Sequence, residues 1–318
     1  MRLLFAVAAV VASLAPGMAQ ELGRMYRIAV LSPGDPEIIR RVTLPELATL
    51  GFVQGKNLVV TIRSNVPFDE LPAAARDLVA DRPDLVIAVS GLAVKALAAA
   101  SQSTPILMSF ADDPVGERFV ASLNRPGGNI TGQTLDSDQQ SPKRLELLHE
   151  LLPFVRRFAV LSSATGSNEH QASEVVARGR RLGLEILVAR ASKPEEYEHA
   201  FAQMKTAGAE ALVIVSDTKF ARDAETLARF ANGAGLPTAC EWDYMARSGC
   251  LLSFGPDNDD LRRRTAHLAA RILRGTPPSE LPVEGPDRFE LVLNLKTAKA
   301  LGISVPPLLI ARADEVIE

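Results

Sequence analysis

The sequence alternates short, nearly continuous apolar runs with stretches of helical periodicity, and this alternation restricts the possible folds more than any other feature. Runs at 27–32, 57–63, 85–90 and 105–110 are rich in Val, Ile and Leu. Apolar residues at adjacent positions, rather than at every second one, belong to parallel strands covered by helices on both faces. Helix patterns occupy 69–81 and 92–100, and a third covers 38–50. Pro45 marks the start of that third helix, because proline suits a first turn and removes a hydrogen bond from an interior one. After a Gly- and Asn-rich stretch at 126–132, a second series follows. Its strands fall at 158–162, 185–189, 211–216, 236–240 and 250–254, and its helices at 142–152, 169–182, 197–207, 218–231 and 261–273. The two series open alike, on Ile28-Ala29-Val30-Leu31-Ser32 and Phe158-Ala159-Val160-Leu161-Ser162. The expected class is α/β, with two Rossmann-like doubly wound lobes. A chain of 318 residues, at roughly 100–200 per domain, has room for both.

The first residues read differently. Arg2 is followed by an apolar run from Leu3 to Leu14, with no polar residue before Ser13, then by Pro16 and the Gly17-Met18-Ala19 that a signal peptidase reads. The run is too short for a membrane span of ~20 residues and has the form of a cleavable signal peptide at 1–19. The mature chain then starts at Gln20, outside the cytoplasm, and no cysteine stands near the cut to carry a lipid. Lys and Arg total 35 against 38 Asp and Glu, so the basic surplus of a nucleic-acid binder is missing. Cys240 and Cys250 are expected to be free thiols. A parallel crossover places them at opposite ends of neighbouring strands, ~17 Å apart for strands of ordinary length, which exceeds the reach of a disulfide.

The usual chemical signatures do not occur. The glycines at 126–132 lack the Lys-Ser/Thr of a phosphate loop, and the first strand is followed by one glycine and two prolines instead of G-x-G-x-x-G. There is no G-x-S-x-G elbow and no H-E-x-x-H helix, and Asp257-Asn258-Asp259-Asp260 lacks the glycine and glutamate of a calcium loop. The four histidines read as solvated surface. No catalytic constellation, metal site or cofactor is expected. What remains is the set of polar loops at the carboxyl ends of the strands, where open α/β sheets bind ligands. They are 32–35, 90–91, 111–114, 162–165, 216–218, 241–244 and 255–257, each also readable as a helix cap, and together they floor a cleft between lobes.

Four blocks carry a resemblance: Leu50-Gly51-Phe52-Val53-Gln54-Gly55-Lys56-Asn57-Leu58-Val59-Val60, the D-P-V-G…P-G-G-N-x-T-G stretch at 110–132, the helix at 143–153, and 289–317. In these the chain resembles the ABC-transporter substrate-binding proteins of the tryptophan/tyrosine-binding-like family. The resemblance implies a type I periplasmic binding protein whose two lobes are joined by a hinge and close on a small solute. It places lobe one at 25–134 plus 257–282 and lobe two at 135–256 plus 283–318. It implies a periplasmic monomer that passes its solute to ABC permease subunits in the inner membrane, with a ligand-sensing partner of a membrane receptor, or a periplasmic enzyme, as the alternatives. Asp113 and Asp257 match the family's D-P-V and G-x-D aspartates, and Asp217 the acidic position of its P-T-D loop. Departures lie at Gly91-Leu92, where the family often has Thr-Pro, at Trp242-Asp243, where some members have Glu-Glu, and at Ser216 for threonine. The expected ligand-binding residues are Ser32, Ser90, Gly91, Asp112, Asp113, Ser162, Ser216, Asp217, Trp242 and Asp257. The ligand expected is small and polar or aromatic: either Asp113, Asp217 and Asp257 receive an ammonium while helix N-termini and hydroxyls receive a carboxylate, or the same groups bind the hydroxyls of a neutral aromatic compound.

Overall fold

The structure is a computed structural model and describes residues 23–318 apart from residue 165, so the expected signal peptide lies outside the described residues. The chain first builds a parallel five-stranded sheet from β1 (Tyr26–Leu31), β2 (Leu58–Arg63), β3 (Leu85–Ala88), β4 (Ile106–Ala111) and β5 (Ile130–Thr134), in the order β2-β1-β3-β4-β5. Its connections carry α1 (Leu44–Thr49), α2 (Leu71–Ala80) and α3 (Gly91–Ala100). Pro45 sits in the first turn of α1, and a π turn at Ile39–Thr43 leads into it. The pleat sends Ile28 and Val30 to one face of β1 and Ala29 and Leu31 to the other. Helices cover both faces of the inner strands, so β3 is apolar throughout, whereas the edge strand β2 exposes Val59, Thr61 and Arg63. Gly132 (φ +145°) lies where a Cβ would strike the backbone of Met108, so β5 approaches β4 only with glycine there.

The second sheet follows from α4 (Ser137–Leu151), β6 (Arg157–Ser162), α5 (Gly166–Arg181), β7 (Glu185–Arg190), α6 (Tyr197–Thr206), β8 (Ala211–Ile214), α7 (Thr218–Arg222), α8 (Ala224–Gly233), β9 (Thr238–Cys240), α9 (Asp243–Arg247) and β10 (Leu252–Pro256). The chain then leaves through α10 (Asn258–Leu273), whose Ala266, Leu268, Ala269 and Ile272 pack on the first sheet beside Ile28 and Val30. It returns past β5, where the Thr134 N–H donates to the Glu284 carbonyl (2.9 Å). β11 (Phe289–Asn294), α11 (Leu295–Ala300), α12 (Pro307–Arg312) and β12 (Glu315–Ile317) complete a sheet of order β12-β11-β10-β9-β8-β6-β7. The class is α/β with two doubly wound sheets, as the alternation requires. We call the two bodies built on these sheets the first and second lobes. Among the described residues no helix is long and apolar enough to cross a membrane.

Several expectations are corrected. β11 runs antiparallel to β10, so the second sheet is not purely parallel. α4 begins five residues before Pro142, which therefore lies inside the helix; Ser137 in its first turn donates to Asp112 and docks the early start onto the first lobe. The single helix expected at 218–231 is broken at Asp223, which leaves helical geometry (ψ 20°) and accepts a hydrogen bond from the Tyr197 hydroxyl (2.8 Å).

The cysteines are not free: Cys240 and Cys250 form a disulfide, with their Cα atoms 6.4 Å apart. The argument for separation assumed a full crossover between strands of ordinary length. β9 has three residues, and the parallel partner of Cys240 is Ser253, not Cys250. Cys250 lies before β10, its N–H bonded to the Met245 carbonyl (3.1 Å), so the connection doubles back over one short helix. Disulfide bonding tolerates Cα separations of ~4.4–6.8 Å.

Candidate functional site

The carboxyl ends of both sheets face a cavity of about 890 Å³. The first lobe lines it with Ser32, Phe110, Asp112 and Arg262, and the second with Asp217, Glu241, Trp242 and Tyr244. A smaller chamber of about 290 Å³ shares Asp112 and Asp217 with it and is walled by Gly91, Lys95, Asp113 and Lys219. The two carboxylates thus stand between two compartments, the larger walled by Phe110, Trp242 and Tyr244 and the smaller carrying two lysines.

The floor in the second lobe is a buried polar network. The Arg144 side chain is 0% exposed and donates from Nε to the Phe254 carbonyl (2.8 Å), from Nη1 to Ser141 Oγ (3.2 Å) and from Nη2 to Ser216 Oγ (3.1 Å). Glu241 accepts from Ser216 Oγ (2.8 Å) and lies 3.5 Å from Arg144 Nη2. Gln171 closes the network, accepting from Ser141 Oγ (2.8 Å) and from the Ser216 N–H (2.9 Å). Burial raises the pKa of Glu241 and lowers that of Arg144; their mutual attraction opposes both shifts without overcoming them. Such a pair contributes little net stability, but it holds a carboxylate at the cavity wall that would be too costly to bury alone. Gly255 is required here, since a Cβ would collide with the Glu241 backbone.

Asp112 faces this floor from the first lobe. Its Oδ1 accepts from Ser137 Oγ (2.6 Å), and no cation lies within 4 Å among the described residues. Burial first, then the charge of Glu241, raises its pKa to about 7. A positive group beside Asp112 would offset the cost of burial and screen the repulsion from Glu241. Beside them Phe110 and Trp242 meet across the lobes, ring centroids 5.6 Å apart, and Tyr244 stacks near Trp242 at 6.3 Å. Trp242 is 4% exposed, so it serves both as packing between lobes and as cavity wall. On the other side, the guanidinium of Arg262 lies 5.0 Å over the Phe110 ring and donates from Nη1 to Ser109 Oγ.

The remaining expected residues divide. Ser32 lines the cavity while turning its hydroxyl onto Gly34 (3.1 Å). Asp217 lines it too, but its oxygens already accept from Ser163 Oγ (2.6 Å), Asn168 Nδ2 (3.1 Å) and the Lys219 N–H (2.6 Å). Gly91 and Asp113 belong to the small chamber; Asp113 is exposed and accepts from the Gly116 N–H (2.8 Å). Ser90 is buried as the N-cap of α3, bonded to the Ala93 N–H (3.2 Å). Ser216 belongs to the floor network, and Ser162 opens onto a groove between α5 and β7 away from the cavity. Asp257 caps α10 through the Asp260 N–H (2.9 Å) and does not line the cavity. Sequence reasoning missed Phe110, Arg144, Tyr244 and Arg262 and did not single out Glu241 from its loop. Phe110 reads as strand interior, and both arginines sit in charged helix segments that look solvated; only Glu241 and Tyr244, in a loop already marked, had a usable signal.

The comparisons with known proteins agree with this two-lobed cavity. The family model described as ABC transporter substrate binding protein matches residues 40–317. A tyrosine-binding protein of Clostridioides difficile (strain R20291) is 26% identical over 256 residues, covering 79% of this chain and 72% of that protein. Two solved structures superpose with a TM-score of 0.84 at 26% identity, covering 92% of this chain and 100% of each: a conserved domain protein from Vibrio cholerae, and an ABC domain from Streptococcus pneumoniae in complex with L-Trp. With most of its length matched by the family model, the chain belongs to the ABC transporter substrate-binding proteins.

Proposed function

We propose that the chain is an exported, monomeric solute-binding protein that takes an amino-acid-like ligand with a planar body and passes it to the permease of an ABC importer. It carries out no chemistry on that ligand and binds no nucleic acid. The lobes divide at 25–134 plus 257–282 and 135–256 plus 283–318, and close about the crossings between them. One observation carries the reading: Asp112, without a cationic partner, faces Glu241 across a cavity walled by Phe110 and Trp242. An ammonium there pairs with Asp112 of one lobe and screens it from Glu241 of the other, so it favours the closed form over the open one. The tyrosine-binding relative and the L-Trp complex support the aromatic part of the assignment.

A thermal-shift screen against amino acids, aromatic acids, amines and purines tests it. A true ligand at 100 times its Kd stabilises the fold by about 2.7 kcal/mol. The reading is wrong if no small solute shifts the melting temperature, or if the bound compound is recovered chemically altered. N-terminal sequencing of the periplasmic fraction tests export, with Gln20 or a close neighbour as the expected first residue.

A further inference from the structure

We infer that Arg262 is a specificity-determining residue that receives a carboxylate of the ligand, so that the cavity selects solutes carrying an acidic group as well as a cationic one. The inference rests on the solute-binding reading above and assigns a residue to the acidic end of that amino-acid-like ligand.

Arg262 is buried, 4% exposed, yet it lines the cavity. Among the described cavity-lining residues the other cation, Arg222, is paired with Asp223 (3.1 Å), whereas no carboxylate lies within 4 Å of Arg262. Its Nη1 is taken by Ser109 Oγ and its face by the Phe110 ring, but its Nε is buried with no partner. One turn earlier on α10, Asn258 also lines the cavity, and its Oδ1 is buried without a partner. Asn258 and Arg262, four residues apart, share a helix face, and the free amide oxygen of Asn258 suits a donor on the ligand, its ammonium, while Arg262 suits the carboxylate. Burial lowers the Arg262 pKa only to about 10, so the group stays charged at neutral pH.

A buried, unpaired guanidinium is costly, and buried charges in folded proteins are paired or held for a ligand. Asp112 is the complementary case at the same cavity: an anion without a cation. A purely cationic solute would leave Arg262 unpaired, and a purely anionic one would face Asp112 and Glu241. A zwitterion satisfies both ends. With Nη1 on Ser109 and Nε buried, Nη2 is the donor left to a carboxylate oxygen in the cavity.

Calorimetric titration of L-tryptophan and L-tyrosine, beside their decarboxylated amines tryptamine and tyramine, tests the assignment on the wild type, Arg262→Met and Arg262→Lys. Loss of a buried charged partner corresponds to about 30-fold or more in Kd. Each amino acid should bind the wild type at least ~30-fold more tightly than its amine. Arg262→Met should cut that advantage at least about tenfold, through loss of amino-acid affinity and not through weaker amine binding, and Arg262→Lys should restore part of it. The unliganded melting temperature of each variant checks folding. A structural role, anchoring β4 through Ser109, would weaken acids and amines alike. Equal binding of acid and amine by the wild type, or an unchanged advantage in Arg262→Met, overturns the assignment. If none of the four binds, the wider screen decides: a ligand without an acidic group overturns the Arg262 role and leaves the solute reading standing, and the absence of any ligand overturns both.

Discussion

The disulfide offers the most quantitative test, because it closes the loop that carries Glu241, Trp242 and Tyr244 into the cavity. The perturbation is reduction of the unfolded wild type followed by refolding with the thiols kept reduced, which changes no side-chain volume. The cysteines are 10 residues apart in sequence. The loop-entropy relation for a ring of that size gives about 2.7 kcal/mol at 25 °C, from restriction of the unfolded chain alone. For cooperative units of 150–250 residues this corresponds to a fall of about 5–10 °C in melting temperature. A second readout is local. Trp242 is the only tryptophan and is 4% exposed, so its emission reports the loop directly. Reduction should shift that emission to longer wavelength and weaken ligand binding. Calorimetry of oxidised and reduced protein, with alkylation of the unfolded, unreduced chain, completes the assay. Two alkyl adducts before reduction would show that the bond is absent. A melting temperature that does not change on reduction would refute the loop-entropy argument, and an unchanged Trp242 spectrum would refute the claim that the bond holds the loop.

Three further outcomes are expected. Asp112→Asn should weaken binding of an ammonium-bearing ligand by more than about tenfold, whereas Asp113→Ala, which removes an exposed turn contact to Gly116, should leave affinity within about twofold; equal titration losses would contradict the division. Because Asp112 and Glu290 have folded-state pKa values raised to about 7, their contribution to the ligand-free fold is full below the ordinary carboxylate range and is lost as pH rises through about 7. The ligand-free melting temperature should therefore rise from pH 8 to pH 5, while affinity for a cationic group falls over the same range, by up to about tenfold per pH unit below 7; opposite slopes in either series would discredit the pairing. Arg222 lies 4.1 Å over the Phe68 ring across the cleft, so Phe68→Ala should raise the Kd about two- to fivefold, and a small-angle scattering comparison should show a more open ligand-free form.

Much of the architecture was legible because it depends on periodicity within each segment. Adjacent apolar residues such as Leu85-Val86-Ile87-Ala88 leave no polar face, so the strand must be buried on both sides, and a parallel, helix-covered sheet follows. The loops after those strands followed from the same reasoning, and Asp112, Asp217 and Trp242 do line the cavity. Errors arose where an element's length or end mattered. Three residues in β9, where about five are typical, turned two cysteines from distant into bonded neighbours.

Sequence alone determined the α/β class, the two series of strands and helices, and the polar loops at the carboxyl ends of the strands. Tertiary structure decided which of those loops meet, and which charges are paired. Arg144 and Glu241 are 97 positions apart by their numbers, and Phe110 meets Trp242 from the opposite lobe. Arg262, in a run of three arginines, reads as solvated helix surface until the packing of α10 on the first sheet turns it inward over Phe110. Local pattern specifies which side chains share a face of their own element. Whether a charge on that face meets water, a partner or an empty cavity depends on which distant segment packs against it, and that follows only from assembly of the whole chain.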